Sequence, residues 1–391
     1  MGSNISTEAG RKKSPRVLLI LGWYDHRLHC GIEKYAQENG WHLSEDWARE
    51  KIVPWGWDGD GILTWLGAGD ELADFVLASR KPTVDFSFRR PQLKFARVLE
   101  ATAETAHLVA GHFLSRGFRH FLFYSDAPNW VYNERGTAFL KCLADAGRKA
   151  DWLRWHKAPA FRTDRKAWKQ KRVWLAAELK SLPKPIGIFA ASDGLAQELL
   201  ETCESIGLDV PEEVAIVGAG NSLLAVEAMH TPISSVDVNM EMIGYAGAKL
   251  LSELMRRKPA PEGPMRVAPL RLIVRKSSDM MAVSHPGVAH SLRFMLDHCH
   301  ERIGVNDLAK AAAMSVRSFH QAFVDHLGRS PGNELHRIRM ERAKKLLLDS
   351  GEKMEAVAGL CGYENGNSFW VAFKRSTGLS PREYQKQQGG I

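Results

Sequence analysis

The chain has little of what marks most enzymes and membrane proteins. Its 391 residues contain five cysteines. Cys30, Cys142, Cys203, Cys299 and Cys361 are scattered and odd in number, so they read as reduced thiols and not as a disulfide framework. No apolar run approaches the ~18 residues of a membrane span. The N-terminus lacks the apolar core of a signal peptide, and the polar, basic stretch Met1–Ser14 is expected to be a disordered leader. No GxxxxGK[ST] loop is present. Gly218-Ala219-Gly220 imitates a dinucleotide fingerprint but has Leu223 where the third glycine belongs. His298-Cys299-His300 places neighbouring side chains in different directions on a helix, and no CxxC or HExxH stands near it. No nucleophile–base motif appears. These absences point away from an enzyme and predict no cofactor, no metal and no membrane.

What is present is a basic chain with an internal repeat. The net charge is +8 and the pI about 9.2, which favours a polyanionic partner. Residues 283–391 hold 15 Lys and Arg against 11 Asp and Glu, about half of that excess. Here Ser318-Phe319-x-x-Ala322-Phe323 with Gly328, Ser330 and Pro331 recurs fifty residues later as Ser368-Phe369-x-x-Ala372-Phe373 with Gly378, Ser380 and Pro381. Two copies are too few for a solenoid. In each copy the phenylalanines, at i and i+4, share one helix face. The glycine stands where that helix stops, and Ser-Pro suits the start of the next. A short helical pattern and a turn precede each copy, Val305–Ala312 before Ser315 and Lys353–Leu360 before Cys361-Gly362-Tyr363. Ser315 is placed to cap the following helix. Helix, short turn, helix is the helix-turn-helix arrangement. Leu335, Ile338, Arg342 and Leu346 continue as a connecting helix of roughly 27 Å, able to hold two recognition helices about one DNA turn apart, roughly 34 Å.

Residues 286–391 resemble the double helix-turn-helix domain of the AraC/XylS family of bacterial transcription regulators. Leu308-Ala309, Met314-Ser315, Arg339-x-x-x-Ala343-x-x-Leu346-Leu347, Ala358-x-x-Cys361-Gly362-Tyr363 and Gly378-x-Ser380-Pro381-x-x-Tyr384 carry the likeness together with the two repeats. The resemblance implies double-stranded DNA as a partner. The first recognition helix would project Arg317, His320 and Gln321, and the second Asn365, Asn367 and Trp370, with the phenylalanines inside. Arg pairs with guanine, and Asn or Gln with adenine. Arg337, Arg339, Lys374 and Arg375 are phosphate-contact candidates.

Residues 15–276 alternate apolar strands and helices. Val17–Leu21, Gly61–Trp65, Pro82–Phe86, Phe121–Tyr124, Ile186–Ala190 and Val214–Gly218 read as parallel strands buried on both faces. Helices follow near 28–38, 72–77, 102–115, 133–146, up to 206 and 241–256. Gly147–Trp174 is basic and rich in tryptophan, and Arg271–Val274 reads as a last strand. Repeated βα units predict an α/β domain of two lobes with doubly wound parallel sheets, ahead of the all-α domain. Residues 277–285 are expected to link the two.

Four stretches resemble the sugar-binding lobes of LacI-type repressors and periplasmic binding proteins. They are Glu134-Arg135-x-x-Ala138-Phe139, Ala191-Ser192-Asp193-x-x-Ala196, Val210-Pro211-x-x-Val214-Ala215-Ile216-Val217-Gly218, and Val238-Asn239-x-x-x-Ile243-Gly244-x-Ala246-x-Ala248. The resemblance implies a small-molecule sugar held between lobes. Carboxylates accept hydroxyl protons, guanidiniums donate, and rings cover C–H faces. Asp25, Arg135 and Asp193 are the ligand residues it indicates. Tyr24, Ser87, Glu134 and Asn221 follow by position, and Trp23 or Trp130 could stack on the ring. Asp25 and Asp193 also stand where aspartate caps helices. Many relatives carry an Asp after the Val-Ile-Gly strand, where this chain has Gly220. The two resemblances together imply a cytoplasmic, dimeric, sugar-responsive regulator that works with RNA polymerase as an activator of genes for xylose or a related sugar. The rival readings are a constitutive DNA-binding protein with a scaffold domain, and an enzyme acting on a sugar or nucleotide.

Overall fold

A computed structural model describes residues 14–45, 53–67, 70–126, 129–155, 165–222, 226–227, 229–283, 285–349 and 352–388. The expected leader lies outside them, apart from Ser14.

The chain builds one lobe, then a second, and returns to finish both. The first run comprises β1 (Arg16–Leu21), α1 (His26–Glu38), β2 (His42–Ser44), β3 (Gly61–Trp65), α2 (Glu71–Ser79), β4 (Thr83–Asp85) and β5 (Ala96–Glu100). It then crosses into α3 (Thr102–Ser115), β6 (His120–Ser125), α4 (Trp130–Asp145), β7 (Asp151–Arg154), α5 (Arg165–Ser181), β8 (Ile186–Ala190), α6 (Asp193–Ile206), β9 (Val214–Ala219) and β10 (Ser234–Asp237). It crosses back for α7 (Met240–Met255) and β11 (Met265–Val267), and a third time for β12 (Arg271–Ile273). The sheets have the orders β11-β5-β4-β3-β1-β2 and β12-β10-β9-β8-β6-β7. All described pairings are parallel except β10 with β12. Three crossings near residues 101, 238 and 269 therefore join the lobes and leave a cleft between them.

The strands legible in the sequence are those buried on both faces. β3, β8 and β9 have no exposed residue. β2, β5, β7, β10 and β11 are additions to that reading. They are short, and β5 reads Ala-Arg-Val-Leu-Glu, a mixed pattern that periodicity does not single out. The basic tryptophan-rich stretch likewise contains β7 and part of α5. In the first lobe, α1 and α7 cross at two glycines. A Cβ on Gly31 would overlap the Glu241 carbonyl oxygen, and one on Gly244 that of Leu28.

The C-terminal domain has seven helices among the described residues: α8 (Pro286–His298), α9 (Val305–Ala311), α10 (Val316–Leu327), α11 (Pro331–Asp349), α12 (Met354–Leu360), α13 (Gly366–Thr377) and α14 (Pro381–Gln388). They form two cores. Phe319 and Phe323 fill the first with Leu308, Leu335 and Ile338. Phe369 and Phe373 fill the second with Met340, Ala343 and Leu347. The 19-residue α11 thus supplies both. Ser315 caps α10 through the Ser318 amide, and Gly328 and Gly378 end α10 and α13 at positive φ (72° and 78°).

The segment expected to link the domains is a packed strap, not a free tether. Lys276–Ser278 is a 3-10 turn with Ser277 and Ser278 fully buried. Ser277 Oγ donates to the Ile216 carbonyl (2.6 Å) and Ser278 Oγ bonds Ser234 Oγ (2.7 Å), while His112 Nε2 also reaches Ser278 Oγ (2.8 Å). Short hydroxyl side chains can be buried because each finds a partner. Beyond the strap, Arg119 donates to the Asp325 carbonyl and Arg148 to the Leu327 carbonyl, so the second lobe covers the C-terminal end of α10. Arg329 donates back to the Leu114 carbonyl, and His107 pairs with Glu341 (2.9 Å). Among the described residues no helix is long and apolar enough to cross a membrane.

Candidate functional site

The interlobe cleft is a cavity of about 540 Å³, within the size range of small-molecule sites. Strand ends and helix starts from both lobes line it. The loop after β1 gives Trp23 and Asp25, the first turn of α1 gives Arg27, β5 ends on Glu100, α4 presents Tyr132 and Arg135, and α6 begins with Asp193. Trp65, Phe86 and Phe88 form an aromatic wall. The ring centroids of Trp23 and Trp65 lie 4.7 Å apart, tilted by 48°.

Charge in the cleft is balanced. Asp25, Glu100 and Asp193 face Arg27, Arg89 and Arg135. Arg27 Nη2 bonds Asp25 Oδ2 at 2.7 Å and Arg27 Nε bonds Asp25 Oδ1 at 3.1 Å. Burial disfavours the charge on Asp25, but these Arg27 contacts prevail and hold its carboxyl below the usual range. The same Arg27 crosses the cleft to donate to the Gly220 carbonyl (2.9 Å) and the Asn221 carbonyl (3.1 Å). Arg135 Nε donates to Glu100 Oε1 (2.6 Å), and its other nitrogens reach Glu100 Oε2 and the Ala191 carbonyl. Asp193 accepts the Ser235 hydroxyl and the Ser222 amide (2.8 Å). Burial pushes its carboxyl up, against those bonds and the nearby Arg135 and Arg27. A neutral molecule rich in hydroxyls matches this balance, since each carboxylate accepts and each guanidinium donates without leaving net charge.

The nine ligand candidates divide. Trp23, Asp25, Arg135 and Asp193 line the cavity. Trp130 stands at a wider outer mouth with Asn129, Lys171 and Glu198, its indole donating to Glu134 Oε1 (2.7 Å). The other four do not line the inner cavity. Tyr24 turns out to solvent and meets His29 Nδ1 (3.1 Å). Ser87 is buried against Asp85. Glu134 binds Arg266 and Thr102. The Asn221 side chain is taken up by Asp237 and Arg275. Conversely, Arg27, Arg89, Glu100, Tyr132 and the aromatic wall were not anticipated. Asp25 does cap α1, accepting from the Arg27 amide, and Ser192, not Asp193, caps α6.

Gly220 has φ +128°, and a Cβ there would lie 3.0 Å from Asp193 Oδ2. A carboxylate placed here would crowd Asp193. As to metals, His29, Glu33 and Glu45 bring one ligand atom each within 4.8 Å of one another, outside the cleft. His298 instead stacks on Phe294 and pairs with Glu301, with Cys299 buried.

The second surface is the outer face of α10 and α13. Arg317, His320, Gln321, Asn367 and Trp370 are exposed there. Gln321 Nε2 donates to Asp325 Oδ1 (2.8 Å). Asn365 is the N-cap of α13, with Oδ1 accepting from the Ser368 amide (2.9 Å). Two phosphate candidates are engaged elsewhere. Arg339 donates to the carbonyls of Cys299, Glu301 and Ile303, stapling the end of α8 to α11. Arg337 is paired with the fully buried Glu334.

Known proteins share both halves. A periplasmic binding protein-like domain model matches residues 110–278, and a helix-turn-helix domain model matches residues 308–387. The chain therefore has the build of an AraC/XylS-type DNA-binding transcription regulator carrying a LacI/periplasmic-binding-protein-like domain. Over nearly its whole length it is similar to the xylose operon regulatory protein of Escherichia coli (strain K12). The two are 26% identical over 392 residues, 93% of this chain and 94% of the relative. The protein of the same name from Haemophilus influenzae is 27% identical over 71% of each chain. The solved xylose-binding transcription activator xylR shares the fold, with a TM-score of 0.58 at 23% identity, across 96% of this chain and 99% of that one.

Proposed function

We propose that the protein is a sugar-responsive transcription regulator in which a sugar in the interlobe cleft alters promoter binding. The observation that carries this reading is a charge-balanced, aromatic-walled cleft in the same chain as two recognition helices. Asp25, Arg27, Glu100, Arg135 and Asp193 contact the sugar hydroxyls, and Trp23 stacks on its C–H face. Arg27 and the Arg135–Glu100 pair already span the lobes, so a ligand that replaces or joins these contacts changes the balance between open and closed forms. It can do so only through its different affinity for the two. α3 starts just past Glu100, and Leu114 near its far end accepts from Arg329 of the C-terminal domain. Rotation about the crossings therefore carries the helix-turn-helix pair.

The relatives' names, xylose operon regulatory protein, support xylose or a related sugar as the signal, and we propose a finer reading as well. The protein acts in the cytoplasm as a homodimer, activates genes for xylose or a related sugar, and engages RNA polymerase. The test is thermal stability against a panel of pentoses and hexoses, with promoter DNA binding measured beside it. Ligand at 100 times its Kd adds about 2.7 kcal/mol. A shift with D-xylose, and altered DNA affinity with the same sugar, is the expected result. No shift across the panel and DNA affinity indifferent to every sugar would favour a constitutive regulator with a scaffold domain. Turnover of a sugar would revive an enzyme.

A further inference from the structure

The fifty-residue repeat aligns the two recognition helices position by position. Phe319 and Phe369 are fully buried, as are Phe323 and Phe373, so the two helices turn equivalent faces outward. In that register His320 corresponds to Trp370 and Gln321 to Val371. The first helix thus presents two hydrogen-bonding side chains where the second presents an isopropyl group and an indole, whose single N–H is its one polar point. Trp370 is 42% exposed and Val371 60%. A single exposed apolar residue needs no explanation. An adjacent pair, on the face that bears His320 and Gln321 in the other copy, asks what it meets.

Two neighbours narrow the answer. Lys374 follows Trp370 by one turn, and its Nζ lies 4.8 Å from the indole centroid, a cation–π contact that covers one ring face. At the start of α13, an ideal Cβ on Gly366 would be 2.9 Å from Glu355 Oε1. A carboxylate beside the first turn makes that helix end a poor seat for a phosphate. In the major groove only thymine offers an apolar group, its 5-methyl, and apolar side chains read it by contact.

We propose that the second recognition helix reads thymine through its methyl groups, with Trp370 and Val371 as the reading surface, while the first reads hydrogen-bonding base edges. The partner of this surface is duplex DNA carrying thymine in the half-site under α13. The inference rests on the regulator reading of the C-terminal domain.

The test begins with full-length protein and selection of bound duplexes from a random pool. Each selected thymine is then replaced by deoxyuridine, which deletes the methyl and leaves every hydrogen-bonding edge in place. Wild type should lose about fourfold in affinity for each contacted methyl, equivalent to the ~0.8 kcal/mol of one buried CH₂-sized group. Trp370→Ala and Val371→Ala should bind more weakly to the thymine duplex and lose the uracil effect in that half-site only. His320→Ala should weaken binding yet keep the effect, and thermal melts check that each variant folds. A selected half-site without thymine, or deoxyuridine tolerated by wild type, overturns the proposal. So does a uracil effect that survives in both Trp370→Ala and Val371→Ala. Failure to select any sequence overturns the regulator reading itself.

Discussion

Arg135→Ala should destabilise the N-terminal domain by about 3–5 kcal/mol, the usual cost of removing one partner of a buried ion pair. The side chains of Arg135 and Glu100 are only 7% and 6% exposed. The guanidinium serves both Glu100 oxygens and the Ala191 carbonyl. Its removal leaves a carboxylate out of water and a buried carbonyl without this donor. An exposed pair would be worth roughly 0–1 kcal/mol. In a domain of this size the loss corresponds to a fall of roughly 6–20 °C in Tm. Glu100→Leu combined with Arg135→Met replaces the pair by apolar groups of similar volume and should restore most of the stability, because desolvation of both charges is then avoided. That double variant separates folding from sensing. It should melt near wild type yet show no sugar-induced shift. Denaturation of the full chain with and without ligand reads both quantities. A cost below about 1 kcal/mol for Arg135→Ala would refute the desolvation argument. A normal sugar shift in the double variant would remove Arg135 and Glu100 from the ligand site.

The domain contact between His107 and Glu341 should depend on pH. Hydrogen bonds to the Cys142 thiol and the Glu341 carboxylate raise the His107 imidazolium to about 9. Glu341 is held at about 2 by His107 and Lys344, against its burial. The histidine contribution is full below its unfolded value near 6.5 and is lost as pH rises through 9. The glutamate contribution is full above about 4.5 and is lost as pH falls through 2. The contact is therefore strongest between these limits, and with His107 52% exposed it is worth no more than about 1 kcal/mol. A distance probe across the two domains should report looser docking at pH 9.5 than at pH 6, and His107→Ala should abolish the difference. Gly220→Asp should lower stability by about 1–3 kcal/mol, from strained backbone at φ +128° and a carboxylate beside Asp193; an unchanged Tm would contradict this. Gly362→Ala should melt the C-terminal domain at lower temperature, since φ is +73° and its Cβ would meet the Glu301 carbonyl at 2.5 Å. Asn365→Ala should cost α13 about 1 kcal/mol as a lost cap, seen as earlier unfolding of the second helix-turn-helix.

What the sequence concealed is largely buried charge. β1, β8 and β9 are legible because nothing polar interrupts them. β5 is not, because Arg97 pairs inside the fold with Asp85 and Glu100 with Arg135. A strand that spends two of five positions on charge looks like a loop until its partners, from 12 to 35 residues away, are known. The same fact hides Glu100 as a residue that lines the cleft. Charges survive inside only where something answers them, and near residue 100 the answers come from a neighbouring strand and from the other lobe. Local consistency therefore fails at the cleft, where a functional site is expected to break it.

The motif resemblances located segments of the site but not which side chain faces it. Gly22 to Asp25 leaves a strand, and extended chain alternates its side chains. Trp23 and Asp25, two apart, both line the cavity, while Tyr24 between them turns to His29. Adjacent positions on a helix diverge by about 100°, and Arg135 enters the cleft while Glu134 turns to Arg266 and Trp130. At residues 85–87 the alternation is offset by one. Phe86 faces the cavity, and Asp85 and Ser87 share the buried side. Applying the strand and helix periods to each segment, once Asp25 and Arg135 were taken as facing inward, would have set aside Tyr24 and Glu134. Ser87 needed the register of β4, which its neighbours in the sheet decide. Asn221 needed the fold itself, because its amide meets Asp237, at the end of β10, and Arg275, two residues past β12, which come together only in the folded second sheet.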